Sequence, residues 1–241
     1  MHIAPSRQAF ADAGAAEFAR RAREAVEGHG RFCVALAGGA TPRSVYARVA
    51  DRQSPYRAQI HWARTWVLFG DERQVAPDHD ESNFRMASET LLRHVPVPEE
   101  QVHRIRGENP DSQRAAEEYE EILRDVFRLG AGEWPRFDLV LLGLGADGHT
   151  ASLFPGSPAA RETARLVTEV RRNPGPDRIT LTLPVLNNAA AVLFLVSGAS
   201  KAEAARQVLG GGSDLPAALV RPERGDLLWL LDGDAAAALP R

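Results

Sequence analysis

The sequence predicts an α/β fold in three layers, with a mainly parallel, Rossmann-like central sheet between two layers of helices. Short apolar runs, which suit strands buried on both faces of a parallel sheet, recur along the chain. Longer segments with apolar residues at helical spacing separate them, and this alternation is typical of a parallel sheet covered on both faces. No Ser/Gly/Pro-rich linker divides the 241 residues, so we expect a single domain over residues 1–241.

Helices are predicted where apolar residues recur at helical spacing and where capping residues mark the ends. Gly28 and Gly130 are the expected stops of the first and fourth helices. Thr41 fits the N-cap and Pro42 the first position of the second helix, while Ser82 fits the N-cap of the third. The predicted helices cover residues 6–26, 41–50, 82–92, 112–129, 185–188 and 201–209.

Strands are predicted from the short apolar runs, and we assign them to the parallel sheet. In the segments 166–170 and 179–183, polar residues interrupt the apolar ones, and 101–105 is expected to be a minor strand. The predicted strands cover residues 31–36, 65–69, 101–105, 137–142, 166–170, 179–183, 191–196 and 227–231.

The composition excludes several classes of protein. The 29 basic and 32 acidic residues are well mixed and give a net charge of −3, so no strong field attracts nucleic acid or an anionic membrane. The single cysteine, Cys33, excludes an internal disulfide, and no apolar run approaches the roughly 18 residues of a membrane helix. We therefore expect a cytoplasmic protein, a monomer or small homo-oligomer, with neither nucleic-acid nor membrane partners.

The segment FDLVLLGLGADGHTASLFPG, residues 137–156, carries the clearest functional signal. A buried strand runs into a glycine-rich turn that holds Asp147 and His149. Because ligands of open α/β sheets bind beyond the carboxyl ends of the strands, these side chains indicate an active site. Two alternatives are a purely structural turn and a dinucleotide-binding fingerprint, whose spacing Gly143 and its neighbours match. The fingerprint requires a long helix, which Pro155 would interrupt.

Two further strand ends carry candidate binding residues. Gly38 and Gly39 precede a helix N-terminus, where free backbone N–H groups and the helix dipole favour an anion. The charged residues Asp71 and Arg73 directly follow the strand at 65–69. Lys201 lies in the first turn of the helix that ends at residue 209, where a bound anion would offset the unfavourable charge.

Four segments together resemble the 6-phosphogluconolactonase family. They are ALAGGATP (35–42), FGDERQVAPDHDESNFRM (69–86), DLVLLGLGADGHTASLFPG (138–156) and the pair RITLTLPVLNNA (178–189) and FLVSGASKA (194–202). The resemblance covers most of the chain, and its first segment departs mildly from the family pattern, because Ala37 and Ala40 stand where the family often has serine. It implies the fold shared by glucosamine-6-phosphate deaminase and ribose-5-phosphate isomerase, and hydrolysis of 6-phospho-D-glucono-1,5-lactone in the oxidative pentose phosphate route.

Two alternative functions remain at this point. Glucosamine-6-phosphate deaminase shares the GG-x-TP and DGH elements, but its pattern has a glutamate shortly after the histidine, where this chain has Phe154. A sugar-phosphate sensor without activity would use the same pocket, but no DNA-binding helix-turn-helix precedes the first strand.

The residues and the resemblance together imply a candidate site. Lactone hydrolysis needs a group that takes a proton from water and returns it near neutrality, which a histidine can do. His149 is therefore the expected general base. Asp71 is a candidate to orient His149 or to contact a sugar hydroxyl, and Asp147 is a candidate for the same roles or only fixes the turn. No metal and no cofactor are expected. The candidate residues for binding the phosphate and the sugar are Gly38, Gly39, Thr41, Arg73, Asn83, Arg178 and Lys201.

Overall fold

The computed structural model of the chain describes residues 1–240. The strands, in chain order, are β1 (His2–Ala4), β2 (Phe32–Leu36), β3 (Thr65–Phe69), β4 (Asp71–Arg73), β5 (Leu139–Gly143), β6 (Val167–Val170), β7 (Arg178–Leu181), β8 (Ala191–Val196) and β9 (Asp226–Asp232). The helices are α1 (Arg7–His29), α2 (Ala40–Ala50), α3 (Asn83–Thr90), α4 (Ser112–Phe127), α5 (Leu183–Asn187), α6 (Ala202–Leu209) and α7 (Pro216–Leu219).

The central sheet confirms the predicted α/β class. Six strands lie in the order β1-β9-β8-β5-β2-β3, and all their pairings are parallel. Within the sheet, β3 lies beside β2 toward one edge, whereas β8 lies beside β5 toward the other edge. The carboxyl ends of β2 and β5 therefore flank the point where the strand order reverses, which is where such sheets bind ligands.

A second, smaller sheet corrects the prediction for residues 166–170 and 179–183. These segments form β6 and β7, which pair with β4 in an antiparallel sheet of order β4-β7-β6. Only Gly70 separates β3 from β4, and it links the two sheets, because its N–H donates to Leu36 O (2.9 Å) and its carbonyl accepts from Leu181 N (2.9 Å). An apolar run indicates burial but not the direction of its partner strand, so the sequence could not distinguish the two sheets.

Two buried tyrosines fix the ends of β2 and β3, where the candidate site lies. The Tyr46 hydroxyl accepts from Ala37 N (2.9 Å) and donates to Ala37 O (2.8 Å). The Tyr119 hydroxyl does the same with Phe69, at 2.8 and 3.0 Å. Both side chains are fully buried, so each satisfies backbone groups that would otherwise lack a partner at the end of a strand.

Several predicted helix ends were wrong, because the residues that cap these helices are not the ones that the sequence indicated. α1 continues past Gly28 to Gly30, whose φ of 86° ends it. α2 begins at Ala40 with Gly39 as its N-cap, so Thr41 is inside the helix. α4 ends before Arg128, which itself adopts a left-handed conformation, rather than at Gly130.

Smaller elements also differ from the prediction. The expected strand at 101–105 forms only a single bridge, between Val102 and Val67. The short elements β1 and α7 were not predicted, since three or four residues show no periodicity. The prediction that Ser82 caps α3 is confirmed, because its side chain accepts from Arg85 N. Within residues 1–240, no helix is long and apolar enough to span a membrane.

Candidate active site

A cleft of about 410 Å³ lies at the carboxyl ends of β2, β5 and β8, with β4 as one wall. The structure brings most of the predicted site residues to it. Those lining the cleft are Gly38, Gly39, Thr41, Asp71, Arg73, Asn83, His149 and Lys201. Asp147 and Arg178 do not line it, but each lies beside a residue that does.

His149 is paired with Asp147 within a single tight turn. The imidazole Nδ1 lies 2.5 Å from Asp147 Oδ1, which also accepts from the His149 backbone N–H at 3.2 Å. Burial alone would raise the pKa of Asp147, but the hydrogen bond and charge of His149 outweigh it, and the pKa lies below its usual value. Because an ionised carboxylate only accepts, Nδ1 carries the proton and Nε2 of a neutral ring is left as an acceptor.

The backbone of this turn explains its glycines. Gly145 donates its N–H to His149 O (2.8 Å), and the backbone of Gly145 therefore lies directly against the Asp147–His149 side-chain pair. A Cβ at Gly145 would collide with the imidazole and would lie 2.5 Å from Asp147 Oδ1. Thr150 closes the turn by donating from Oγ1 to Gly143 O at 2.9 Å. The glycine is therefore required for the close approach of the side-chain pair, and not only for flexibility.

Asp71 is held separately from His149. Its Oδ1 accepts from Asn83 Nδ2 at 3.0 Å, and its Oδ2 accepts from Ser152 Oγ at 2.6 Å. The carboxylate is 8% exposed and faces the cleft. The geometry therefore decides which acid contacts His149: Asp147 does, whereas Asp71 accepts from Asn83 and Ser152.

Ser152 contacts the site through Asp71, and nothing in the sequence indicated this contact. It donates to Asp71 across 81 positions of sequence, and its own N–H donates to Thr180 Oγ1 at 3.2 Å. Thr180 is opposite Asp71 in the β4–β7 pairing. The only sequence signal was that Ser152 lies within the DGH segment, and nothing in that segment indicates which residue it contacts.

The buried carboxylate of Glu72 fixes the position of α3. It accepts from the backbone N–H groups of Asn83 (2.7 Å) and Phe84 (2.8 Å) and from the hydroxyl of Ser82 (3.1 Å). Its 2% exposure and the desolvation that follows raise its pKa, although these hydrogen bonds oppose the rise. Glu72 therefore joins β4 to the N-terminus of α3 and so places the Asn83 side chain against Asp71.

The turn between β2 and α2 offers backbone N–H groups to an anion. Gly39, with a φ of 95°, turns the chain into α2, and its neighbours in this turn line the cleft. A Cβ at Gly38 would collide with the Asn83 side-chain amide, so only glycine fits there. Thr41 lies one residue after the first position of α2, close to the positive end of the helix dipole.

Three cations lie in or beside the cleft. Arg73 and Arg178 are directly opposite each other in the β4–β7 pairing, and the Arg73 guanidinium donates to Glu81 O. The Arg178 Nη1 is buried and has no hydrogen-bond partner within residues 1–240. Burial, followed by the charge of Arg73, lowers the pKa of Arg178. Arg73 and the half-buried Lys201 line the cleft and Arg178 lies beside it, so the site carries positive charge suited to an anionic ligand.

Within residues 1–240, no group of three or more His, Cys, Asp or Glu side chains is arranged to hold a metal ion.

The chain is similar to known proteins over almost its whole length. The family model described as glucosamine-6-phosphate isomerases/6-phosphogluconolactonase matches residues 5–229. A 6-phosphogluconolactonase from Synechocystis sp. is 41% identical over 222 residues, covering 91% of this chain and 89% of the relative. One from Rattus norvegicus is 41% identical over 225 residues, covering 92% and 86%. The solved structure of 6-phosphogluconolactonase from Trypanosoma brucei has 31% identity and a TM-score of 0.84, covering 99% of this chain and 98% of that one.

Proposed function

Because the chain belongs to the family of glucosamine-6-phosphate isomerases and 6-phosphogluconolactonases, we propose that it hydrolyses 6-phospho-D-glucono-1,5-lactone to 6-phospho-D-gluconate. This is a step of the oxidative pentose phosphate route. The observation that carries the proposal is the Asp147–His149 pair, which lies at the cleft with Nε2 of the imidazole free to accept a proton.

His149 acts as the general base. Its Nε2 takes a proton from a water molecule, and the water oxygen forms a bond to the lactone carbonyl carbon. The resulting tetrahedral oxyanion collapses, the bond between that carbon and the ring oxygen breaks, and the imidazolium returns the proton to the ring oxygen. Asp147 stabilises the imidazolium and fixes the ring nitrogen that carries the proton in the resting state.

The remaining residues bind the two ends of the substrate. The N–H groups of the Gly38–Thr41 turn, Arg178 and Lys201 bind the phosphate, and the unpartnered Nη1 of Arg178 supports this role. Arg73 also lines the cleft and supplies further positive charge there. Asp71 accepts a hydrogen bond from a sugar hydroxyl, and Asn83 acts through Asp71, because its amide nitrogen already donates to that residue.

The site lacks the glutamate that the deaminase pattern has shortly after the histidine. At the position where the deaminase pattern has its glutamate, the Phe154 ring lies against the imidazole of His149, with 4.6 Å between the ring centroids. A phenyl ring cannot transfer the protons that opening of an amino sugar requires. Lactone hydrolysis needs no second acid beyond His149, so the observed residues favour it.

The proposal is tested with a coupled assay on freshly prepared lactone, with the spontaneous hydrolysis subtracted. We expect turnover that is unchanged by a chelator and no comparable release of ammonia from glucosamine 6-phosphate. Full dependence on added metal would overturn the mechanism, and ammonia release at a similar rate would favour the deaminase. Binding of 6-phosphogluconate without any turnover would instead indicate a sensor.

The His149→Ala variant tests the assignment of the base. We expect kcat to fall by about 10²- to 10⁴-fold, the usual contribution of general acid–base catalysis. Binding of 6-phosphogluconate and the thermal midpoint should change little, because the side chain is 32% exposed and is not part of the core. A variant that keeps more than about a tenth of wild-type kcat would mean that another group activates the water, and Asp71 would be tested next.

A further inference from the structure

Phe154 lies against the ring of His149 without lining the cleft. The two ring centroids are 4.6 Å apart and the planes are inclined by 39°. Phe154 is half-buried and is not among the residues that border the cleft. Its contact with the site is therefore made through the imidazole, and not through space that a ligand would occupy.

The backbone of Phe154 is itself held firmly. Its carbonyl oxygen accepts from Ser157 Oγ at 2.8 Å and from Ser157 N at 3.1 Å. Ser157 in turn caps the short helical turn Pro158–Arg161. These bonds fix the backbone from which the phenyl ring projects.

A cation from a different part of the chain packs against the face of the Phe154 ring. The guanidinium carbon of Arg172 lies 4.0 Å from the centroid of the Phe154 ring. Arg172 belongs to the connection between β6 and β7, and its backbone N–H donates to Asp177 Oδ1 at 2.8 Å. Like Phe154, Arg172 is not among the residues that line the cleft.

From these contacts we propose that Phe154 is a positioning residue for His149, and that Arg172 holds Phe154 in place from the second sheet. Asp147 fixes one nitrogen of the imidazole through a single hydrogen bond, which leaves the ring free to tilt about that bond. The Phe154 ring limits this tilt, so the imidazole of His149, which lines the cleft, keeps one orientation there. The inference rests on the proposed role of His149 as general base.

The first test compares Phe154→Leu with Phe154→Tyr. Leucine keeps apolar bulk but cannot stack, so we expect kcat to fall by about 10- to 100-fold, because small displacements of a catalytic group are costly. KM should stay within about twofold, since Phe154 does not border the cleft. Tyrosine keeps the ring and should restore most of kcat. A rise in KM with kcat unchanged would overturn the proposal, because it would place Phe154 in contact with substrate.

The second test asks whether the effect passes through His149. In a His149→Ala background, Phe154→Leu should cause almost no further loss, because there is no imidazole left to position. If the two losses multiply, Phe154 acts on another part of the site or on the fold, and the proposal fails. The matched control is Phe127→Leu, since Phe127 also contacts an arginine (Arg31, 5.6 Å) and a second ring (Phe137, 4.8 Å), but not the cleft. It should lower stability and leave kcat unchanged.

The third test concerns the arginine. Arg172→Ala should lower kcat by about 2- to 5-fold, the size expected for a cation–π contact at an exposed site. Arg171→Ala is its matched control, because this exposed neighbour makes no side-chain hydrogen bond or ring contact with any described residue. Equal effects of the two variants would show a general effect of charge and would remove Arg172 from the proposal.

A readout without turnover separates this proposal from the proposed function. Nitrogen-15 spectra of the His149 ring should show one fixed tautomer in the wild type and in Phe154→Tyr. In Phe154→Leu, the signals should shift or broaden as the ring gains freedom. If the wild type lacks lactonase activity but the spectra change as expected, the proposed function fails while the packing role stands. Identical spectra in Phe154→Leu would overturn the positioning role whatever the activity.

Discussion

At the scale of single residues, Gly145 is the position where one added methyl group should separate catalysis from folding. A Cβ there would collide with the ends of the Asp147 and His149 side chains, and these flexible groups can move away at little cost to the fold. We expect Gly145→Ala to lower kcat by about 100-fold, because a displacement of the order of an ångström has that effect on a catalytic group. The thermal midpoint should change little.

Kinetics and thermal unfolding of the variant, measured side by side, test this expectation. Gly233→Ala is the control for an added methyl group at the same edge of the sheet, because its Cβ would meet no atom within 4 Å. Nearly normal kcat in Gly145→Ala would show that the Asp147–His149 pair is not needed in its observed position.

The site could be predicted residue by residue only where its chemistry is local in sequence. Asp147 and His149 lie in one glycine turn, and the sequence identified both as candidates. The sequence could not show whether Asp71 or Asp147 is the partner of His149, because this depends on which carboxylate lies next to the imidazole in the folded chain. Ser152 was missed for a related reason: its bond to Asp71 joins two distant segments, and its own sequence neighbours give no sign of it.

At the scale of elements, Asp232 at the end of β9 fixes the turn that leads from β8 to Lys201. Its carboxylate accepts from Ser197 Oγ (2.5 Å), Gly198 N (3.0 Å) and Ala235 N (2.8 Å). Burial raises the pKa of Asp232, but these hydrogen bonds outweigh it and hold the pKa below its usual value. Asp232→Ala should therefore lower the free energy of unfolding by about 2 kcal/mol at pH 7 and raise KM, as Lys201 loses its fixed position.

The pH dependence of this loss has a definite sign. The carboxylate has a lower pKa in the native state than in the unfolded state, so its contribution is present above the unfolded value of about 3.9. It is lost as the pH falls through the native pKa. Urea unfolding at pH 7 and at steps down to pH 3 should show the difference between wild type and Asp232→Ala shrinking toward acid. The exposed Asp234, changed to Ala, serves as control with no difference at any pH. A constant difference would mean that the side chain acts through packing.

The elements themselves were predictable to different degrees. β3 and β8 match the predicted residues, because an apolar run with clear ends is a local property. The second sheet was not foreseen, since the pairing of β4 with β7 follows from the way Gly70 redirects the chain. The ends of two helices differ from the prediction: α4 ends at the left-handed Arg128 before Gly130, and α1 continues past Gly28 and ends at the left-handed Gly30.

At the scale of the whole molecule, the single cysteine reports on the opening of the central sheet. Cys33 lies in β2, between β5 and β3, and is 1% exposed, although it borders a surface cleft of about 430 Å³ at the amino ends of the strands. Burial raises the pKa of its thiol to about 12. The thiolate is the reactive form, so both poor access and the retained proton protect Cys33 in the native state.

We therefore expect a bulky alkylating reagent to label Cys33 only when the sheet opens. At pH 8 the native protein should react at least about 1,000-fold more slowly than the urea-unfolded chain, in which an ordinary thiol pKa of about 8.5 applies. The labelling rate should rise with urea with the slope of global unfolding, because β2 is an interior strand and cannot separate alone. Addition of 6-phosphogluconate at about 100 times its Kd should slow labelling by about 100-fold, since the ligand binds only the folded cleft.

A rate that does not depend on urea would show that the cleft at the amino ends admits the reagent to the folded sheet. A rate that depends on urea but not on 6-phosphogluconate would leave β2 as an interior strand and count against the proposed ligand.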